Sequence, residues 1–267
     1  MRGRAGWCKP KAMVDPHDIA FAHELANAAG AVIRPRFRSR LAVESKGDLS
    51  PVTVADRAAE AAMRRLIATE RPGDGVIGEE YGEDRANASR LWVLDPIDGT
   101  RAFIAGRPLF GTLIALMVDG VPVLGIIDQC VIGDRWVGAR GHGTRLGGDL
   151  VRTRQGVRLA DAHLGTTAPG YFAEDDRPRF ETLRAAAHDT LWGGDCHNYG
   201  LVAAGHLDLV VESQLKVHDW AALVPVIEEA GGTMTDWSGK PLSLASDGRV
   251  IAAGSAALAQ EAAAALS

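Results

Sequence analysis

The sequence predicts an α/β protein of mixed α+β type, in which helices cover both sides of two sheets. Three observations carry this. Apolar residues recur at helical spacing over 17–33 and 54–70. Residues 111–146 break into short strand-like runs, the first two joined by the hairpin signal Asp119-Gly120. From about Arg158 onward, strand-like and helix-like segments alternate to the C-terminus.

In chain order, Asp15-Pro16 precedes a helix over His17–Ile33, with Ile19, Ala22, Ala26, Ala29 and Ile33 on one face and Asp15 available as cap. Asp48-Leu49-Ser50-Pro51 reads as a turn. A second helix runs from Val54 to about Glu70, with Asp56 in its first turn, where a carboxylate suits the helix dipole. Arg71-Pro72-Gly73-Asp74-Gly75 stops it. Val76-Ile77-Gly78 is a short strand ending in Glu79-Glu80, and Leu91-Trp92-Val93-Leu94 the end of a buried strand. Further strands are expected at Gly111–Val118, Val121–Asp128, Arg135–Ala139 and Thr144–Leu146, the last two linked by Gly141-His142-Gly143. In the second half a strand at His163–Thr167 precedes helices at Pro178–His188 and Asn198–Gly205. A strand at Leu207–Glu212, a helix from Asp219 to Gly231, a strand at Val250–Ala253 and an Ala-rich helix complete the chain. The expected organisation is a poorly ordered tail over 1–14, with Met13 a candidate start, then halves at 15–150 and 151–267 that form one catalytic unit.

With 267 residues, 46% hydrophobic and 24% charged, the composition is that of a globular protein. A net charge of −5, with no basic block beyond Arg34–Arg40, disfavours nucleic acid as a partner. No apolar run is long enough to span a bilayer, and Met1–Lys11 lacks the apolar core of a secretory signal. Cys8, Cys130 and Cys196 are odd in number and widely spaced, which points to a reducing compartment, the cytoplasm.

The most informative run is Asp95-Pro96-Ile97-Asp98-Gly99-Thr100. Pro96 cannot donate to a ladder and Gly99 permits a sharp turn, so two carboxylates sit on a stiff backbone at a strand exit. Oxygen donors of this kind suit hard divalent cations such as Mg²⁺. Asp-Pro and Asp-Gly are also ordinary turn formers, and the run alone leaves both readings open. Carboxylates recur at comparable places: Asp56 at a helix start, Glu79 after a short strand, and Asp219 in His218-Asp219-Trp220-Ala221-Ala222.

Taken together, Ile77-Gly78-Glu79-Glu80, Trp92-Val93-Leu94-Asp95-Pro96-Ile97-Asp98-Gly99-Thr100, and Asp219-Trp220-Ala221-Ala222 with Glu229-Ala230-Gly231-Gly232 resemble the signatures of the inositol monophosphatase family. The likeness covers roughly residues 16 to 260, in the family's order and spacing. It implies a layered αβαβα sandwich, a Mg²⁺-dependent phosphate monoester hydrolase with two to three Mg²⁺ per site, and a homodimer. Glu79, Asp95 and the Ile97 carbonyl would hold one Mg²⁺; Asp95, Asp98 and Asp219 a second; a weaker third would lean on Glu79 through water. Asp56 and Thr100 would orient the attacking water. Asp98, Gly99, Thr100 and Asp219 would face the phosphate, with Gly99 and Thr100 presenting N–H groups at a helix start. Carboxylates brought within about 5 Å repel by roughly 3 kcal/mol per pair at an effective dielectric near 20, so cations or protons must accompany them. Metals so held clamp the attacking and leaving oxygens of an in-line displacement.

Asp98 to Pro108 with Phe110 to Leu116, and Gly193-Gly194-Asp195-Cys196 with Tyr199-Gly200-Leu201, look most like the histidinol-phosphatase branch, which would place the chain in histidine biosynthesis. Histidinol phosphate carries an ammonium group and an imidazole, and Asp195 and Glu212, which match substrate-contact positions, could supply an acidic wall. Inositol monophosphate and sugar phosphates stay open as substrates, since the family often carries an Arg before Gly193 where this chain has Thr190 and Leu191. A bisphosphate nucleotide would want a basic cluster that is missing. A catalytically inactive binding homologue would have lost a ligand, yet Asp56, Glu79, Asp95, Asp98, Thr100 and Asp219 are all present. Thr53 is expected to support the fold by hydrogen bonding, Trp92 and Trp220 to be core, Cys196 a small buried hydrophobe, and His197, His206 and His218 not to be ligands.

Overall fold

Alternate residues of one central strand enter different cores, and that periodicity sets the layering. In the computed structural model, which describes residues 13–39, 43–45 and 51–267, Trp92 and Leu94 pack toward two N-terminal helices, while Leu91 and Val93 face the C-terminal half. The elements in order are α1 (Pro16–Ile33), β1 (Val43–Ser45), β2 (Pro51–Thr53), α2 (Val54–Glu70), β3 (Gly75–Gly78), β4 (Gly82–Asp84), β5 (Arg90–Asp98), α3 (Thr100–Ile104), β6 (Gly111–Val118), β7 (Val121–Gln129), β8 (Asp134–Ala139), β9 (Gly143–Leu146) and β10 (Asp149–Val151). They continue as β11 (His163–Thr166), α4 (Asp176–Ala186), β12 (Asp189–Trp192), α5 (Cys196–Ala203), β13 (Leu209–Glu212), α6 (Val217–Trp220), α7 (Leu223–Glu229), β14 (Thr233–Thr235), β15 (Val250–Ala253) and α8 (Ala256–Ala265).

Eight strands form one sheet in the order β10-β9-β8-β7-β6-β5-β3-β4, antiparallel except for the β3/β5 pair. Five form a second, β12-β11-β13-β15-β14, whose first three strands run parallel. Phe21, Leu25 and Met63 of α1 and α2 cover one face of the large sheet. Tyr199 of α5 and Val226 of α7 fill the space between the sheets. Phe180 of α4 and Leu258 of α8 close the outer face of the small sheet, against Leu209 and Val211. The layers are therefore α, β, α, β, α, as the resemblance implied. Among the described residues no helix is long and apolar enough to cross a membrane.

Several boundaries differ from the sequence reading. The strand expected to end at Leu94 runs on to Asp98, because Asp98 still pairs with Gly111 of β6. The single helix expected over Asp219–Gly231 is two, α6 and α7, broken at Ala221-Ala222. Pro225 has no N–H for the Ala221 carbonyl four residues back and its ring crowds that carbonyl. The helix expected to reach His188 stops at Ala186, and the next residues form edge strand β12. β4, β10 and β14 are three residues each, too short to show alternation. Of the expected turn at 48–51, only Pro51 lies within the described residues, where it begins β2; residues 1–12 of the expected tail lie outside them. Val14, counted in that tail, is buried, its N–H bonded to the Arg140 carbonyl at 3.1 Å.

One polar network ties α1 to the start of β5. Arg90 bonds Asp18 at 2.8 Å and Asp74 at 3.2 Å, and the buried Trp92 indole N–H donates to Asp74 at 2.9 Å. Replacing Asp74 strands a buried donor, which typically costs about 1–3 kcal/mol. Asp74→Ala is expected to lower unfolding free energy by that amount in urea titration, and an unchanged midpoint would show that the network is idle.

Candidate active site

A regular strand would send Asp95 and Asp98, three residues apart, to opposite faces. Instead, Asp95 pairs with Leu113 and Asp98 with Gly111, so three steps on β5 match two on β6. This bulge of one extra residue turns both carboxylates to the same side. It is pinned by Asp95 Oδ1, which accepts the Ile97 N–H at 3.0 Å, and by the Pro96 carbonyl, which accepts the Thr112 hydroxyl at 2.8 Å. Gly99 then takes φ of 83°, and a Cβ there would lie 3.0 Å from the Asp195 side chain, so only glycine lets the chain turn here into α3.

Asp219, the third residue of α6, comes to the same place from the far half of the sequence. One oxygen each from Asp95, Asp98 and Asp219 lies within 4.8 Å of the others. Asp98 Oδ2 accepts the backbone N–H of Cys196 at 2.7 Å, and Asp219 Oδ2 that of Lys216 at 2.6 Å. Glu79 joins them from the turn after β3, its N–H bonded to the Leu94 carbonyl at 3.1 Å and its carboxyl hydrogen-bonded to that of Asp95. Asp56 approaches from the start of α2, where Oδ2 accepts both the N–H (2.8 Å) and the hydroxyl (2.5 Å) of Thr53 in a capping box, the support expected of Thr53. Its other oxygen is 3.4 Å from the Thr100 hydroxyl, which is itself 3.0 Å from the Ile97 carbonyl.

Glu79, Asp98, Gly99, Thr100, Asp195, Glu212 and Asp219 line one cleft, and Asp56, Asp95 and Ile97 are buried immediately behind it. The structure thus brings together every site residue expected from the sequence. Glu212 differs in detail: Oε1 accepts the N–H (3.0 Å) and hydroxyl (2.5 Å) of Thr167, and Oε2 the Tyr199 hydroxyl (2.8 Å), so its oxygens are braced by the protein and it offers the cleft chiefly its charge. Thr190 and Leu191 sit on edge strand β12, outside the cleft. A basic group reaches that region from elsewhere, with Arg107 packed over Gly193. Tyr171 and Gln214, which line the cleft, were missed because no local pattern marks them. His218 lies at the cleft, its Nε2 3.6 Å from Asp219 Oδ1, whereas His206 is exposed and His197 packs edge-on against Trp136. Trp92 and Trp220 are core, and Cys196 is buried as expected, its thiol lifted well above its usual range by burial and then by Asp98.

Crowded carboxylates resist ionisation. Burial, then the charges of Glu79, Asp98 and Asp219, holds Asp95 well above the ordinary carboxylate range. Burial, then Asp195 and Asp219, does the same for Asp98. Asp219 is raised by burial against the opposing pull of His218, and Asp56 by burial against its bonds from Thr53. Asp195 is pushed up to about 7 by burial and by Glu212, with Arg107 opposing. An all-oxygen donor set that cannot carry its own negative charge fits a hard divalent cation.

The comparisons decide what kind of site this is. The model of the inositol monophosphatase family matches residues 15–267. The chain belongs to that family. Its members are metal-dependent phosphomonoesterases of the hydrolase class. The bifunctional phosphatase IMPL2 of Arabidopsis thaliana, a chloroplastic protein, is 45% identical over 252 residues, covering 91% of this chain and 73% of that one. A histidinol-phosphatase of Mycobacterium tuberculosis is 39% identical, covering 83% and 88%. Among solved structures, an inositol monophosphatase from Zymomonas mobilis superposes with a TM-score of 0.87 at 52% identity, over 94% of this chain and 97% of that one.

Because Asp95 and Asp98 keep protons in the folded, metal-free chain at pH values where the unfolded chain, with carboxylates near 3.8, has lost them, folding there takes up protons. Their contribution to stability therefore falls as pH rises above that value. A divalent cation bound to the cluster would replace the protons, so adding one such as Mg²⁺ is expected to raise Tm more at about pH 8 than at about pH 5. Equal shifts in calorimetry at the two pH values would contradict this.

Proposed function

We propose that this family phosphatase is Mg²⁺-dependent and hydrolyses histidinol phosphate, a step of histidine biosynthesis. The observation that carries the substrate is the pairing of Asp195 with Glu212 in one cleft with the metal-binding carboxylates. A phosphate ester seated on the cluster would direct its ammonium and imidazole toward this second acidic group. The likeness to the Mycobacterium tuberculosis histidinol-phosphatase supports the same choice. The 52% identity with the Zymomonas mobilis inositol monophosphatase favours a second reading, in which inositol 1-phosphate or a broader set of sugar phosphates is the substrate.

In this reading Glu79, Asp95 and the Ile97 carbonyl hold one cation, and Asp95, Asp98 and Asp219 another. The Ile97 carbonyl can do so while accepting from Thr100, since it has two lone pairs. Bound Mg²⁺ supplies Lewis-acid stabilisation of the phosphoryl charge and makes a nearby water more acidic. The chain's own part is positional. Asp56 and Thr100, whose oxygens lie 3.4 Å apart, together fix the attacking water. The water's oxygen bonds to phosphorus as the bond from phosphorus to the ester oxygen breaks; the water gives up one proton and the departing ester oxygen takes up one, leaving phosphate and the free alcohol. Gly99 and Thr100 face the phosphate with backbone N–H groups. The same reading makes the enzyme a cytoplasmic homodimer, supported by the family likeness and by Cys130 and Cys196 being buried free thiols.

Phosphate release with Mg²⁺ should favour histidinol phosphate over inositol 1-phosphate, fructose 1,6-bisphosphate and 3′-phosphoadenosine 5′-phosphate by about 10²-fold in kcat/KM. Equal or inverted preference removes the substrate assignment, and full activity after exhaustive chelation removes the metal. Thr100→Ala should cut kcat by about 10²-fold with little change in KM, if its hydroxyl orients the water. Unaltered kcat would take Thr100 out of the mechanism.

A further inference from the structure

Glu60 lies one turn of α2 beyond Asp56, on the same side of the helix, and is fully buried. Its carboxylate is turned toward main chain. Oε2 accepts the N–H of Glu80 at 2.8 Å; Oε1 accepts the N–H of Tyr81 at 3.2 Å and the Nε–H of Arg64 at 2.7 Å. Arg64 also donates to the carbonyl of Gly82. Residues 79–81 are the connection between β3 and β4, and the Glu79 N–H is bonded to Leu94 of β5. The amides of this connection are therefore held by α2 and β5, the two elements that carry Asp56 and the Asp95/Asp98 pair. The grip is close: a Cβ on Gly78 would overlap Glu60 Oε1.

Of the side chains in this connection, Tyr81 is 53% exposed and Glu79 and Glu80 are half-buried. The charge of Glu79 acts against those of Asp56, Asp95 and Asp219 alike, and the backbone bonds of the connection oppose that push.

We propose that Glu60 is a positioning residue: gripping the Glu79–Tyr81 backbone from the helix that bears Asp56, it fixes the Glu79 carboxylate against the Asp95–Asp98–Asp219 cluster and so sets that cluster's affinity for a divalent cation. The proposal rests on the reading of Glu79 as a ligand. Glu60→Gln keeps the shape but turns one acceptor end into a donor, so either the Glu80 N–H or the Tyr81 and Arg64 N–H groups lose their acceptor. Loss of a group that orients a ligand typically weakens metal binding by about 10–100-fold.

The test is equilibrium binding of Mn²⁺ to the full chain without substrate, read by the electron paramagnetic resonance of free Mn²⁺, alongside Tm. Glu60→Gln is expected to weaken the tightest site by about tenfold or more. Glu79→Gln should do at least as much, and Asp74→Ala, at the opposite end of β3, should lower Tm and leave Mn²⁺ affinity unchanged. If Glu79→Gln weakens binding and Glu60→Gln does not, the proposal falls and the ligand reading stands. If Glu79→Gln has no effect, both fall. Equal weakening by Glu60→Gln and Asp74→Ala would show that Glu60 serves only the fold, and overturns the proposal. Should Glu60→Gln not fold, Glu60→Asp, which keeps charge and acceptors but retracts them by one methylene, is held to the same comparison.

Discussion

Mutual repulsion among desolvated carboxylates is the constraint around which this molecule is arranged. Asp95, Asp98 and Asp219 present oxygens within 4.8 Å of one another, with Glu79 against Asp95, in a place where burial already disfavours their charge. Such a group does not assemble by its own attraction. It is held by backbone geometry that the surrounding apolar layers make rigid, and its charge is balanced from outside, by protons or by a cation. The pocket that results is chemically incomplete by construction.

Each carboxylate is secured by a different local device. The β5 bulge and its two side-chain bonds aim Asp95 and Asp98. A capping box fixes Asp56, and the N–H of Lys216 anchors Asp219. The amide of Cys196 ties Asp98 to the start of α5, so the two sheets meet through the site itself. On the opposite wall, Thr167 and Tyr199 brace Glu212 in the same manner, with neutral donors taking up acceptor capacity while the charge remains.

Much of this was legible in the chain. The unbroken apolar run Leu91–Leu94 marks a strand buried on both faces, and the Asp95–Thr100 run marks the cluster because Pro and Gly restrict what its backbone can do. Local chemistry also contained a signal that went unused: Pro225 lies inside the helix expected over Asp219–Gly231, and it breaks that helix into α6 and α7. Other features leave no local trace. Whether β5 stops at Leu94 or continues to Asp98 depends on its pairing with Gly111 of β6. Glu60 reads in sequence as one more polar residue of an amphipathic helix, and only the partner amides of Glu80 and Tyr81 give it a different meaning. Tyr171 and Gln214 reach the cleft through contacts between distant segments, which spacing along the chain does not encode.

The placement of Asp219 on α6 has a consequence for how the enzyme comes into being. The N-terminal layers, with Asp56, Glu79 and the Asp95/Asp98 pair, are complete in sequence by residue 151, nearly seventy residues before the last carboxylate is synthesised. A nascent chain that ends short of α6 lacks Asp219, whatever other carboxylates of the pocket it already contains. The centre is therefore complete only once α6 has been made, and no prematurely terminated product ending before that helix carries all of it.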